Sequence, residues 1–147
     1  MKYLILFLFF LSWSMHASTY DFDKLKHHTN KPIDKNKIHI IYYSASFCKS
    51  CHDFSKYLIQ FQQYNKNKYE IILVSFDINI EKFKKYCLKT PFIVVNYNYR
   101  KESGLYEYAG MVIPWMVIID SNGEVIYSNM ASVKILKILS RRKKDEN

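Results

Sequence analysis

The most constraining feature of this 147-residue chain is the junction at residues 38–51, where an apolar run meets a pair of cysteines. Residues 38–44 (IHIIYYS) are rich in β-branched and aromatic side chains, which predicts a buried strand. Cys48 and Cys51 follow closely and open a stretch with helical periodicity. A strand that turns directly into a helix predicts an α/β domain with the cysteine pair at the turn.

The rest of the chain repeats this alternation of strands and helices. Cys51, Phe54, Leu58 and Phe61 fall on one face of the first helix. Further elements are predicted as a strand at 69–76, a short helix from about 79, an apolar run at 92–95, a helical turn or two within 100–109, a strand at 115–120, a tight turn at 121–123 into a strand at 124–127, and a closing helix at 132–139. Strands separated by helices imply parallel crossovers, and the final hairpin adds an antiparallel edge.

Residues 1–17 have the layout of a secretory signal peptide. Lys2 precedes an apolar run at 3–11, and small residues surround a cleavage point after Ala17. Met15 is larger than the residue preferred three positions before a cut, so an uncleaved anchor or a buried helix remains an alternative. The run is shorter than the roughly 20 apolar residues that span a bilayer. We therefore expect a periplasmic or secreted protein, membrane-anchored if the segment is retained, in a compartment where disulfides persist.

The remaining organisation is that of one domain with a basic surface. Residues 18–37 are expected to be a polar leader, 38–140 the domain, and 141–147 a charged tail. A formal charge of +9 raises nucleic acid or an anionic membrane as partners. Export disfavours nucleic acid, and the lysines are scattered without interleaved aromatic residues. We therefore expect a solubilising surface on a monomer that binds no nucleic acid, with membrane attachment through the tail as a weaker alternative.

The cysteine pair admits three kinds of chemistry. A zinc site needs four ligands, and only Cys87 and scattered histidines supplement the pair, so copper is the more plausible metal after export. A structural disulfide would close a loop too short to restrain the chain much. Redox exchange fits the position best, because unpaired N–H groups and the positive dipole end of a helix stabilise a thiolate. Cys48 is then expected to attack a substrate, and Cys51, sheltered one turn into the helix, to resolve the mixed disulfide.

Taken together, these residues resemble the thioredoxin superfamily and, within it, the tryparedoxin/nucleoredoxin branch. Residues 42–51 (YYSASFCKSC) resemble the branch's Tyr-Phe-Ser-Ala-Ser-Trp-Cys-Pro-Pro-Cys motif. Further matches are VSFD at 74–77, KTPF at 89–92 beside Lys-Met-Pro-Trp, and VIP at 112–114 followed by VIID at 117–120. The resemblance runs from about 38 to 127. It implies a thioredoxin-like three-layer α/β sandwich, with a central mixed sheet flanked by helices.

The resemblance also implies roles for individual residues. Cys48 would be the nucleophile, Cys51 the resolving thiol, and Pro114 a cis proline beside them. Ile113 would offer its backbone to an extended substrate segment, and Phe47, where the branch has Trp, would keep an aromatic shield at the binding site. The substrates would be protein thiols and disulfides, with a membrane or soluble electron donor and no cofactor or metal.

Two departures from the branch limit what the resemblance implies. Lys49 and Ser50 stand where the branch has Pro-Pro, and these positions help to set the redox potential. A reductant is expected from the resemblance alone, with a non-enzymatic thiol-binding or copper-binding module as the alternative. Tyr42 occupies the position of the buried Asp of thioredoxins proper, so proton transfer to Cys51 would use water or another group.

Three further residues could belong to the site but have simpler interpretations. Cys87 shares an apolar stripe with its helix and is expected to pack in the core. Trp115 is expected to be a buried strand aromatic rather than part of a substrate groove. His52 is expected to be a solvated helix residue rather than a group that tunes the thiolate.

Overall fold

The computed structural model describes residues 19–141, so the predicted signal peptide and residues 142–147 of the charged tail lie outside the described residues. The strands are β1 (Ile38–Ser44), β2 (Tyr69–Ser75), β3 (Ile93–Val94), β4 (Trp115–Ile119) and β5 (Val125–Met130). The helices are α1 (Lys49–Asn65), α2 (Ile80–Cys87) and α3 (Val133–Arg141). Single 3₁₀ turns lie at Phe22–Lys24, Tyr97–Tyr99 and Leu105–Tyr108.

The five strands form one mixed sheet in the order β3-β2-β1-β4-β5. β1, β2 and β3 are parallel, because α1 and α2 return the chain to the same end of the sheet each time. β4 pairs antiparallel with β1, and β5 antiparallel with β4 across the predicted hairpin. The predicted α/β fold with a mixed sheet is confirmed. The last strand starts at Val125 and runs to Met130, beyond the predicted end at Tyr127.

Both faces of the sheet are buried around β1, which explains why this strand carries apolar side chains on both faces. Ile40 and Tyr42 point into a core shared with all three α-helices. Ile41 and Tyr43 point into a second core on the opposite face. No α-helix covers that second face within residues 19–141; the leader and the short 3₁₀ turn at Leu105–Tyr108 cover it instead. The three layers are therefore a helical layer, the sheet, and a layer of short irregular segments.

The leader is an integral part of this domain. Its apolar residues Tyr20, Phe22 and Leu25 are buried against the sheet. The Tyr20 N–H donates to the carbonyl of Gly123 over 2.7 Å. Gly123 has φ +85°, and a Cβ there would lie 2.4 Å from the Tyr20 carbonyl oxygen, so the hairpin turn needs glycine for both reasons. None of the helices between residues 19 and 141 is long and apolar enough to cross a bilayer.

Candidate redox site

Cys48 caps the N-terminus of α1. Its backbone is extended (φ −91°, ψ 100°), and its sulfur accepts a hydrogen bond from the Cys51 N–H over 3.1 Å. The Ser50 hydroxyl lies 3.4 Å from the same sulfur. An N-cap side chain that accepts from the first turn satisfies one of the helix's unpaired donors. Here the capping atom is a sulfur, so the helix terminus acts directly on the sulfur of Cys48.

Cys48 and Cys51 form a disulfide, with an S–S distance of 2.03 Å and a Cα–Cα distance of 5.2 Å. Cys48 keeps 9% of its surface exposed, whereas Cys51 is 0% exposed. The predicted sheltering of the second cysteine is confirmed. Cys48 is therefore the more accessible of the two bonded cysteines. The roles of nucleophile and resolving thiol stay predictions that fit this geometry.

A buried carboxylate, Asp77, anchors the loop that leads into the cysteines. Its Oδ1 accepts from the Ser46 N–H (3.1 Å) and the Ser46 hydroxyl (2.5 Å), and its Oδ2 accepts from the Ser75 hydroxyl (2.8 Å). Arg100 fixes the neighbouring backbone, since its Nη1 donates to the carbonyls of Ser75 and Asp77 over 2.7 Å each. These contacts join the carboxyl ends of β1 and β2 into one rigid support for the site.

Sequence reasoning missed both Asp77 and Arg100 as supporting residues. A signal for Asp77 was present: Asp77 comes two residues after Ser75, the last residue of β2, and parallel neighbours end at the same edge of a sheet. No comparable signal exists for Arg100. It lies in an irregular segment, with its guanidinium carbon 3.9 Å from the centre of the Tyr97 ring.

Two hydroxyl groups donate hydrogen bonds to the backbone carbonyl of Cys51. Tyr42 donates to it over 2.7 Å, and Ser55 donates to it over 2.9 Å. Burial raises the pKa of Tyr42 far above its ordinary value, so the phenol stays protonated at any physiological pH. The residue in the position of the thioredoxin Asp therefore holds the first turn of α1 in place. The route of the proton to Cys51 remains a prediction.

Cys87 is separate from the redox pair. It is a free cysteine, fully buried at the end of α2. Burial raises the pKa of its thiol to about 12, so it stays protonated and unreactive. The prediction that Cys87 packs in the core is confirmed.

The segment before β4 lies alongside the site. The Ile113–Pro114 peptide bond is cis, as the resemblance implied. Trp115 pairs with Tyr43 near the end of β1, so Pro114 lies next to the point where the chain enters the cysteine loop. Ile113 packs against the core that contains Cys48 and Cys51. Its backbone N–H and C=O make no hydrogen bond within residues 19–141, which leaves them available to an extended segment.

The other predicted contact residues have mixed surroundings. Phe47 is 69% exposed directly before Cys48, so it offers an apolar surface to a partner, and its role as an aromatic shield stays a prediction. His52 is exposed, but it is also anchored: its Nε2 lies 2.8 Å from the Ser46 carbonyl and must donate, because a carbonyl only accepts. Trp115 is half-buried rather than fully buried, with its Nε1 bonded to the Ser128 hydroxyl over 3.2 Å.

No group of three or more His, Cys, Asp or Glu side chains is arranged to hold a metal ion in the part of the chain that the structure describes.

Comparison with known proteins gives a consistent result. Residues 36–125 match a family model described as thioredoxin-like. Nucleoredoxin of Xenopus laevis is 34% identical over 102 residues, which cover 66% of this chain and 24% of that protein. Tryparedoxin of Trypanosoma brucei brucei is 27% identical over 101 residues, which cover 66% of this chain and 70% of that protein. The chain thus spans about a quarter of the length of the nucleoredoxin that it matches.

The fold is also found among solved structures. Tryparedoxin II from C. fasciculata superposes with a TM-score of 0.69 at 25% identity, over 84% of this chain and 94% of that one.

Proposed function

Because the chain belongs to the thioredoxin-like family, in its tryparedoxin/nucleoredoxin branch, we propose that it is an exported oxidoreductase that reduces disulfides in other proteins. The observation that carries the proposal is the unequal placement of two bonded sulfurs. Cys48 caps a helix and keeps 9% of its surface exposed, while Cys51 is 0% exposed within the first turn. A structural disulfide has no need of this asymmetry, whereas an exchange reaction depends on it.

The reaction runs in two exchange steps. In the reduced protein the Cys48 thiolate attacks one sulfur of a substrate disulfide, forms a mixed disulfide, and releases the other substrate sulfur as a thiolate. Cys51 then loses its proton and attacks Sγ of Cys48, which releases the second substrate thiolate and forms the Cys48–Cys51 disulfide. Two electrons pass to the substrate, and the two released thiolates take up two protons. A dithiol electron donor reduces the protein again by the reverse exchange.

The free backbone of Ile113 supplies a docking edge for this reaction. An extended substrate segment can pair with its N–H and C=O as an added strand would, beside the end of β1. Main-chain pairing holds the substrate without reading its side chains, so it suits a protein that acts on several partners.

Insulin reduction with dithiothreitol as donor tests the activity. We expect Cys48→Ser to abolish turnover and Cys51→Ser to accumulate a mixed disulfide with the substrate. Cys87→Ser, a substitution at the buried cysteine outside the pair, should keep turnover once the variant is shown to fold. Unchanged turnover in Cys48→Ser would overturn the proposal. Stoichiometric Cu(I) binding by a reduced protein with no insulin reduction would favour a copper-binding module instead.

The direction of electron flow is tested by equilibrating the Cys48–Cys51 pair with glutathione. A potential near that of thioredoxin, about −270 mV, supports a reductant. A potential near about −120 mV would make the protein an oxidant and overturn this part of the proposal.

Export is proposed from the layout of residues 1–17. Expression of the full chain in a bacterium, followed by fractionation and N-terminal sequencing, tests it. We expect a periplasmic product that begins after Ala17. A cytosolic product that retains Met1 would overturn export and leave the exchange chemistry unaffected.

A further inference from the structure

A basic pocket opens beside the redox site, on the side of α2. It has a volume of about 440 Å³, within the range of small-ligand sites. The side chains that line it include Lys82, Lys85 and Lys89, together with Phe47, His52 and Tyr86. Phe47 and Ser46, which directly precede Cys48 in the chain, belong to this lining, so the pocket adjoins the loop that leads into the redox pair. We call it the lysine pocket.

The lysines share one face of α2 and its continuation. Lys82 and Lys85 are three residues apart on α2, which places their side chains on one face, and Lys89 lines the same pocket from the turn after the helix. Like charges at this spacing destabilise a helix slightly, whereas the helix dipole favours lysines near the C-terminal end, as at Lys85. Lys84 lies on a different face and is paired with Glu81 over 3.5 Å.

No carboxylate within residues 19–141 neutralises the three lysines. Glu81 pairs with Lys84, and Asp53 pairs with Lys56 on α1. The nearest carboxylate along the chain before α2, Asp77, is buried and is bonded to serine groups. The lysine pocket therefore presents uncompensated positive charge next to an exposed aromatic ring.

The remaining lining is held in place and has mixed polarity. Tyr86 is fixed by a 2.7 Å hydrogen bond with Ser44, and the His52 ring by its bond to the Ser46 carbonyl. Phe47 adds an apolar wall that is 69% exposed. A fixed pocket with a positive rim and an aromatic wall fits carboxylate side chains carried on a polypeptide, since the polypeptide also covers the apolar surface.

We propose that the lysine pocket binds acidic residues that flank the substrate disulfide, so that the protein selects acidic polypeptide segments. This inference rests on the proposed reductase function for its kinetic consequence. The binding itself does not depend on redox chemistry. Opposite charge next to the attacking sulfur raises the rate of productive encounter and orients the substrate, and salt weakens both effects.

The test uses synthetic peptides in two arms. In the binding arm, cysteine-free decapeptides with acidic, neutral or basic side chains are titrated against the oxidised protein by fluorescence anisotropy. In the kinetic arm, the reduced protein is mixed in single turnovers with matching peptides that each carry one intramolecular disulfide. At low salt we expect the acidic peptide to react about tenfold faster than the basic one, a preference that shrinks as salt is added.

Three variants separate the lysine pocket from general charge. Lys85→Gln should lower binding of the acidic peptide by about two- to fivefold, and the triple variant Lys82→Gln/Lys85→Gln/Lys89→Gln should remove the preference. Lys84→Gln makes the same charge change as Lys85→Gln one residue away and should leave the preference intact.

The outcomes are distinguishable from failure of the proposed function. Equal binding of all three peptides would overturn the proposal that the lysine pocket binds acidic residues. A preference for the acidic peptide that survives in the triple variant would overturn it as well. An acidic preference in binding with no reduction of any peptide supports the pocket and overturns the reductase proposal. Equal reduction of the three peptides together with equal binding would overturn the proposed acidic selectivity and leave the reductase proposal standing.

Discussion

The Cys51 N–H donates to Sγ of Cys48 over 3.1 Å, so the residue predicted to resolve the reaction also stabilises the atom predicted to start it. A donor aimed at this sulfur favours its ionised form, because hydrogen bonds to a charged acceptor are stronger than those to a neutral one. The helix dipole acts in the same direction. We therefore expect reduction of the disulfide to leave a thiolate at Cys48 that the backbone already supports.

The first prediction concerns the ionisation of Cys48 in the variant Cys51→Ser. Its thiol should have a pKa below about 7.5, against about 8.5 for a free cysteine. Ultraviolet thiolate absorbance followed against pH measures this directly. Cys87 does not interfere, because burial raises its pKa to about 12. Titration of Cys48 at the value of a free thiol would contradict the role given to the helix terminus.

The second prediction concerns Ser50, whose hydroxyl lies 3.4 Å from the Cys48 sulfur. Donation from this hydroxyl stabilises the thiolate and hence the reduced protein. Ser50→Ala should raise the pKa of Cys48 and shift the potential of the pair to more negative values, by about 10–30 mV for a hydrogen bond of ordinary strength. Equilibration with glutathione measures the shift. Lys49→Gln is measured in parallel, as a substitution at the neighbouring position. An unchanged potential in Ser50→Ala would mean that the helix terminus, and not the Ser50 hydroxyl, stabilises the Cys48 thiolate.

The sheet and the cysteine helix could be predicted from sequence because their signals are local. The run at 38–44 is apolar on both faces, and β1 is buried on both faces. Cys51, Phe54 and Leu58 follow helical spacing, and all three are buried in α1. In each case the spacing of apolar residues along a short stretch of sequence predicts which side chains are buried.

The cover of the second sheet face could not be predicted in the same way. Tyr20, Phe22 and Leu25 are isolated among polar residues, so no periodicity marks the leader as buried. The Tyr20 N–H bonds to the carbonyl of Gly123, about a hundred residues later in the chain, so this contact of the leader is non-local. The support by Asp77 is also non-local, since it depends on two strands that end at one edge of the sheet.

The third prediction concerns Asp77, which is 1% exposed and bonded to Ser46 and Ser75. Asp77→Ala leaves the Ser46 N–H and two hydroxyl groups without their acceptor. We expect a loss of about 3 kcal/mol in the free energy of unfolding, measured by urea denaturation of the oxidised protein. The control is Asp53→Ala, which removes only an exposed pair with Lys56 and should change stability by less than about 0.5 kcal/mol. Equal effects of the two variants would show that Asp77 does not anchor the cysteine loop.

The fourth prediction concerns Glu70, at the start of β2, and stability in acid. Burial by itself would raise the pKa of Glu70, but the His39 side chain, the Asp34 N–H at 2.9 Å and the Lys37 ammonium at 3.5 Å together lower it below 4.5. A carboxyl group with a lowered pKa binds fewer protons in the folded state than in the unfolded state. Its contribution to stability is therefore complete above pH 4.5 and is lost as the pH falls through the lowered folded value.

Urea denaturation at a series of acidic pH values tests this reasoning with Glu70→Gln. The variant should be less stable than the wild type at neutral pH, by about 1 kcal/mol for the loss of a partly buried charged acceptor. Below pH 4.5 the two stability curves should converge, because the wild-type carboxylate becomes protonated and loses the same interactions. Glu107→Gln, at an exposed position, provides the control and should follow the wild-type curve throughout. A constant difference between Glu70→Gln and the wild type across the acidic range would mean that the carboxylate charge contributes nothing, and that the substitution acts through packing around His39 instead.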